Sequence, residues 1–125
     1  MTEIIQNSKQ YDLEGRCLKF AKEVRIFIKK LSKNIGNFED SKQLVRSSGS
    51  IGANYIEANE SLSKKDFLMR IKISRKEAKE TSYWLNLVDT NGDKNLDNEC
   101  LKLIKECTEL MLILGPILRK SEQTW

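Results

Sequence analysis

One stretch of the sequence, from residue 13 to residue 35, repeats apolar side chains at alternating spacings of four and three. The repeating residues are Leu13, Cys17, Phe20, Val24, Phe27, Leu31 and Ile35. An α-helix has 3.6 residues per turn, so positions spaced in this way line up along one helix face. We therefore predict an amphipathic helix over residues 12–35, which the glycine-containing segment Asn34–Asn37 ends.

The same alternation recurs further along the chain and predicts three more helices, over residues 41–62, 64–88 and 97–118. The second helix is expected to present Leu44, Ser48, Ile51, Tyr55, Ala58 and Leu62 to the core. The third is expected to present Phe67, Ile71, Ser74, Ala78, Thr81, Leu85 and Val88. No window alternates as a β-strand does. The 125 residues therefore predict one all-α domain, residues 1–125, folded as an antiparallel up-and-down four-helix bundle.

The ends of these helices carry recognisable signals. Asp40 or Ser41 is the expected N-cap of the second helix, and Ser63 with Asp66 has the spacing of a capping box before the third. The fourth helix is expected to follow Asp97. The pair Gly115–Pro116 is expected to kink or end it.

A second apolar stripe on the third helix lies well off its predicted core face, and a thinner one runs along the second helix. The residues are Met69, Ile73, Trp84 and Leu87 on the third helix, and Val45, Gly52 and Ile56 on the second. A large exposed apolar face on a short bundle needs a cover, and a second copy of the chain is the commonest one. We therefore predict an oligomer interface at these seven residues, although a wide core stripe would explain the same pattern.

The composition argues against an enzyme. The chain has no histidine, which excludes serine and cysteine catalytic triads and zinc sites that use histidine. Cys17, Cys100 and Cys107 show no CxxC spacing, and the longest apolar run, Leu110–Leu114, is too short for a bilayer. We expect a cytoplasmic protein with no catalytic residue, metal, cofactor, membrane contact or small-molecule substrate.

The positive charge is concentrated on two of the predicted helices. Residues 12–35 and residues 64–88 each contain seven basic and three acidic side chains, within a chain of formal net charge +4. The candidate phosphate contacts are Lys22, Arg25, Lys29 and Lys33 on the first helix, and Lys65, Lys72, Lys76 and Lys79 on the third. Such stripes can follow a phosphate backbone without reading its sequence, but a lysine-rich helix face is often merely solvated.

A polar stripe on the second helix offers candidates for more selective contacts. Arg46, Ser50, Asn54 and Glu57 recur at spacings of four, four and three. The pattern fits either an internal polar network or a recognition patch. If it is a recognition patch, Arg46 and Asn54 are the best candidates for selective contacts with nucleic acid. The segment 89–100 imitates a calcium loop, but Lys94 and Cys100 stand where that loop needs glycine and glutamate, so we predict a polar turn.

Two motifs together resemble a known family. They are the stretch from Leu44 to Ala58, LVRSSGSIGANYIEA, followed by Lys65–Phe67, and the stretch from Glu77 to Leu85, EAKETSYWL. Over about residues 12–118 the chain resembles the four-helix-bundle proteins encoded by intervening sequences within bacterial 23S ribosomal RNA genes. The motif positions fall on Arg46, Ser50, Asn54, Glu57, Asp66, Glu77, Glu80 and Trp84. Gly49 and Tyr55 depart from the usual pattern.

The resemblance implies a cyclic homo-oligomer, typically a pentameric ring, with a suspected nucleic-acid-binding role. It also implies a distant kinship with the accessory proteins of diversity-generating retroelements. Two hypotheses follow. The first is a non-enzymatic ring that binds RNA or DNA through the lysines of its first and third helices; the alternative is an adaptor or assembly subunit whose partner is another protein.

Overall fold

The computed structural model describes residues 8–124, with side chains from residue 13 to residue 123, and this part of the chain contains helices and no strands. The helices are α1 (Ser8–Lys29), α2 (Ile35–Asn59), α3 (Lys64–Leu87) and α4 (Lys94–Thr124). Each helix packs on its neighbours in sequence, and α1 also packs on α4. The short linkers reverse the chain direction each time, so the predicted up-and-down four-helix bundle is confirmed.

The core is formed by the side chains that the helical spacing selected. Phe20, Val24, Leu44, Ile51 and Ile71 are fully buried. Further buried apolar residues from α4, including Leu110 and Leu114, join them in one cluster. Phe67 and Val88 are half-buried and pack against this cluster, as their spacing predicted.

The packing of α2 on α3 includes polar side chains that are fully buried. Ser74 donates a hydrogen bond from Oγ to the backbone oxygen of Ile51, at 2.7 Å. Thr81 Oγ1 lies 2.8 Å from Ser47 Oγ and 2.7 Å from the backbone oxygen of Glu77. Small side chains let the two helices approach closely, and these bonds satisfy the hydroxyl groups that the approach buries.

The boundary between the first two helices differs from the prediction of a helix over residues 12–35. Helix α1 ends at Lys29, and Ile35 is the first residue of α2, where it is 85% exposed. Asn34 fixes the start of the second helix, because its backbone is extended (φ −145°, ψ 169°) and its side chain caps α2. The cap is therefore Asn34 and neither Asp40 nor Ser41, and its Oδ1 accepts from the Asn37 N–H at 2.8 Å.

Three other helix ends also differ from the bounds predicted from the sequence. Helix α2 ends at Asn59, so Leu62, expected in the core, is fully exposed in the linker. Helix α4 begins at Lys94 because Asp93 Oδ1 accepts from the N–H groups of Asn95 and Leu96. Pro116 lies inside α4 and does not end it. Since Pro116 and the residue four positions earlier, Leu112, are both exposed, the carbonyl that the missing N–H leaves free can face water.

The start of α3 and the turn after it agree more closely with prediction. The Ser63 side chain accepts from the Asp66 N–H at 3.1 Å, while the Asp66 carboxylate accepts from Ser61 Oγ instead of closing the capping box. Asn91 and Gly92 have positive φ angles of 55° and 74°, which asparagine and glycine tolerate best. In the described part of the chain, no helix has an apolar stretch long enough to cross a membrane.

Candidate nucleic-acid interface

Four lysines form a basic stripe on the outer surface of α3. Lys65, Lys72, Lys76 and Lys79 are all exposed, and we call them the α3 basic face. At a rise of about 1.5 Å per residue the stripe is about 21 Å long. None of the four forms an ion pair with a carboxylate among residues 13–123.

A second basic stripe follows α1 and continues into the linker after it. Lys22, Arg25 and Lys29 lie on the helix and Lys33 lies just beyond its end; we call them the α1 basic face. All four are exposed. Arg25 donates from Nη1 to the backbone oxygen of Ala21 at 3.2 Å, and none of the four pairs with a described carboxylate.

The two basic faces lie on helices that are diagonally opposite in the bundle. Helix α1 packs on α2 and α4, and so does α3, but α1 and α3 do not pack on each other. The two faces of one chain therefore point in different directions. A straight duplex that touches one of them cannot touch the other on the same chain.

Two other basic residues, on or just after α1, form ion pairs with glutamates of α4. Arg16 Nη2 lies 2.6 Å from Glu106 Oε1 and 3.2 Å from Glu109 Oε1, and Lys30 Nζ lies 2.8 Å from Glu99 Oε1. The hydrogen bond to Glu106 is the largest of several effects that raise the pKa of Arg16. The Arg16 pairs join α1 to α4 and the Lys30 pair joins the residue just after α1 to α4, so none of these three acids pairs with the α1 basic face.

Arg46 and Asn54, the candidates for selective contacts, are engaged within the protein. Arg46 Nη1 lies 3.1 Å from Glu77 Oε1, and Nη2 lies 3.1 Å from Glu80 Oε1, although the Arg46 side chain stays 49% exposed. Asn54 is buried, with Nδ2 donating to the oxygens of Ser50, and its Oδ1 accepts from Arg70 Nη1 at 3.3 Å. Arg46 and Asn54 thus each contact α3, in two separate groups of polar side chains, and the role of these residues in recognising nucleic acid stays a prediction.

The predicted interface residues of α3 form an apolar stripe beside the α3 basic face. Met69 and Leu87 are about half exposed, while Ile73 and Trp84 are half-buried. The ring of Tyr83 meets that of Trp84 edge to face, with the centroids 5.0 Å apart. We call Met69, Ile73, Trp84 and Leu87 the α3 apolar face.

The predicted interface residues of α2 are arranged differently. Ile56 is 45% exposed and Val45 is half-buried. A Cβ atom placed on Gly52 would lie only 3.0 Å from Cys17 Cβ. The close approach that Gly52 allows is therefore made to α1 of the same chain. Ile56 lines a groove of about 840 Å³ between α1 and α2.

One exposed aromatic residue near the α1 basic face was not among the site residues predicted from the sequence. Phe38, in the first turns of α2, is 63% exposed, and Lys42 Nζ lies 4.5 Å from its ring centroid. With Lys29, Lys33 and Ile35 it lines a hollow of about 860 Å³ at one end of the bundle, which we call the end hollow. Placing residue 38 in a linker hid it, although an aromatic side chain just after a basic stripe was a visible signal.

The cysteines do not have the properties of nucleophiles. Cys17, Cys100 and Cys107 are free and buried. Burial raises the pKa of Cys17 and of Cys107 to about 12, so both remain protonated at neutral pH. Within the described residues, no three acidic or cysteine side chains come together as metal ligands would.

Comparisons with known proteins agree with this fold. A solved structure of a protein of unknown function, from the S23 ribosomal protein family of Bacteroides thetaiotaomicron VPI-5482, is 30% identical to this chain with a TM-score of 0.72. The alignment covers 85% of this chain and 97% of that one. No curated protein matches.

A family model supplies the assignment. The model described as 23S rRNA-intervening sequence protein matches residues 9–115, which is most of the chain. The family predicted from the motifs on α2 and α3 is thus confirmed. The chain belongs to the 23S rRNA-intervening sequence protein family.

Proposed function

We propose that this protein is a non-enzymatic, nucleic-acid-binding homo-oligomer of the cytoplasm, with RNA as its expected ligand. The observation that carries the proposal is the division of charge in the bundle. Arg16, Lys30 and Arg46 pair with carboxylates, whereas both basic faces have exposed cations without described carboxylate partners. Unpaired cations along a helix are available to phosphates, whose binding releases counterions.

The α3 apolar face supports self-association. A surface made by half-exposed Met69 and Leu87 and half-buried Trp84, beside lysines, is costly in water and is usually covered by another protein surface. We propose a cyclic assembly, with the pentamer implied by the family resemblance as the expected form. In a ring the basic faces would repeat around the assembly, so the modest charge of one chain would become a strong local field.

Binding to RNA and DNA at two salt concentrations tests the proposal. Fluorescence anisotropy with a labelled ribosomal RNA hairpin and a DNA duplex should show affinity that falls steeply from low to physiological salt. The double variant Lys72→Glu and Lys76→Glu should bind the duplex with a slope of log affinity against log salt that is shallower by about 2, since each lost phosphate contact removes about 0.9.

The matched control reverses two exposed lysines of α4, Lys102→Glu and Lys105→Glu, which changes the net charge by the same amount. This variant should keep the parent slope. Equal weakening by both variants would mean that total charge, and not the α3 basic face, governs binding. If the unaltered oligomer binds neither nucleic acid at low salt, the proposal fails and the alternative, a protein-binding adaptor, takes its place.

A further inference from the structure

The end hollow combines a positive rim with an aromatic surface. Lys29 and Lys33 come from the α1 basic face, and Ile35 and Phe38 come from the first turns of α2. The one carboxylate on its lining, Glu39, lies 3.5 Å from Lys42 Nζ and is thereby paired. Anionic ligands therefore meet two cations without described carboxylate partners beside a ring that is 63% exposed.

The linker between α1 and α2, which contains Lys33, is held in place by Asn37. This buried side chain donates from Nδ2 to the backbone oxygens of Ser32 and Asp89, at 3.0 and 2.9 Å. Its Oδ1 accepts from the Asp89 N–H at 2.9 Å. The hollow is thus tied to the linker between α3 and α4, and a site that is already ordered loses less entropy when a ligand binds.

The chemistry of the hollow fits one part of a nucleic acid in particular. An unpaired nucleotide presents a flat base and a phosphate together, whereas a duplex encloses its base faces within the stack. Aromatic side chains beside cations are the usual platform for such bases. The volume of about 860 Å³ is ample for a nucleotide, because small-molecule pockets commonly measure about 300–1,000 Å³.

We propose that the end hollow binds an unpaired nucleotide, whose base stacks on Phe38 and whose phosphates contact Lys29 and Lys33. The inference rests on the proposed function and names its substrate class as single-stranded or looped nucleic acid. It also gives the two basic faces different roles. The α3 basic face follows the backbone of any nucleic acid, and the end hollow adds a preference for unpaired bases.

The test compares a labelled oligouridine with a duplex of the same length, using the oligomer as purified. Phe38→Ala should weaken oligouridine binding by about 5- to 150-fold and leave duplex binding nearly unchanged. Phe38→Trp should restore it, because a larger ring stacks at least as well. Leu112→Ala on α4 is the control, since Leu112 is exposed to a similar extent (68%).

Each outcome separates the inference from the function on which it rests. If the parent protein binds both probes and Phe38→Ala changes neither affinity while its melting temperature is unaltered, the end hollow is not the base site and the proposed function survives. If the parent protein binds neither probe, the proposed function itself fails. A polyglutamate peptide needs only cations to bind. If it displaces the oligouridine with equal potency from the parent and from Phe38→Ala, stacking on Phe38 contributes nothing and the inference is overturned.

Discussion

At the scale of single residues, two glycines on neighbouring helices show that the effect of glycine on stability depends on the space around it. A side chain at Gly52 would collide with Cys17 on α1, whereas nothing lies within 4 Å of a Cβ placed on Gly15. Both lie within helices, where glycine is less favourable than alanine. The same residue type is therefore a packing requirement at one position and a weak point at the other.

The variant Gly52→Val should lower the free energy of unfolding by about 1–3 kcal/mol, because the added atoms push α1 away from α2. Gly15→Ala should raise it by about 0.5–1 kcal/mol. Urea denaturation followed by circular dichroism measures both. If Gly52→Val is as stable as the parent, the close approach of the two helices is not needed for stability.

The buried thiols make a prediction about pH. An unfolded cysteine ionises near its ordinary pKa of 9, but Cys17 and Cys107 in the folded chain keep their protons until about pH 12. The unfolded state alone loses protons between these values, so stability falls as the pH rises from 9 to 12, by up to about 1.4 kcal/mol per unit for each thiol. The double variant Cys17→Ala and Cys107→Ala should show a shallower decline in pH-dependent thermal melts, and a parallel decline would contradict the explanation.

Residue chemistry also explains how far the sequence could predict the site. The exposure of the lysines on the two basic faces was predictable, because side chains opposite the core face of an amphipathic helix are exposed to solvent. The environment of Asn54 was not, since residue spacing places it on a helix face without saying which helix faces it. Only the packing of α2 on α3 turns that stripe into contacts with Arg70, Glu77 and Glu80.

At the scale of secondary structure, helix type was easy to predict and helix ends were difficult. The apolar spacing continues through Leu31 to Ile35 as if the first helix went on, although α1 has already ended at Lys29 and Ile35 begins α2. The start of α2 and the position of the linker depend on side-chain hydrogen bonds of Asn34 and Asn37, which the 3.6-residue period does not encode. The same error concealed Phe38, because a residue assigned to a linker was not placed on any face.

Asn37 should be the most sensitive polar residue at this end of the bundle. Asn37→Ala removes three hydrogen bonds that link Ser32 and Asp89 to α2 and leaves their backbone groups short of partners. We expect a loss of about 1–3 kcal/mol in the free energy of unfolding. Asn98→Ala, at an exposed position of α4, should change it by less than about 0.5 kcal/mol.

Urea denaturation of both variants checks the difference. A lowered melting temperature for Asn37→Ala with unchanged helix content at low temperature would show that the bundle still forms. Equal stability of the two variants would mean that the Asn37 hydrogen bonds to Ser32 and Asp89 contribute nothing to the free energy of unfolding.

At the scale of the whole molecule, the apolar stripe of α3 makes a prediction about assembly. Ile73→Asp puts a charge in the middle of the α3 apolar face and should dissociate the proposed oligomer, because an unpaired carboxylate is costly to bury in an interface. Leu112→Asp, on the exposed side of α4, is the matched control and should leave the assembly intact. Size-exclusion chromatography with light scattering measures the mass of the parent and of each variant. A monomeric parent would contradict self-association, and an oligomeric mass that Ile73→Asp leaves unchanged would place the interface elsewhere.

The order in which helices pack has a consequence for folding. Every packed pair joins helices that follow one another in sequence, except that α1 closes on α4. Chains with such local contacts fold quickly, in about microseconds to milliseconds for helical bundles. The α2–α3 hairpin has the most extensive packing and two buried hydroxyl bonds, so we expect it to form first, and we expect α1, which packs least on its neighbours, to dock last. A transient opening of the native protein would therefore release α1 first, and with it the cations that lead into the end hollow, while α3 keeps its own lysines in register.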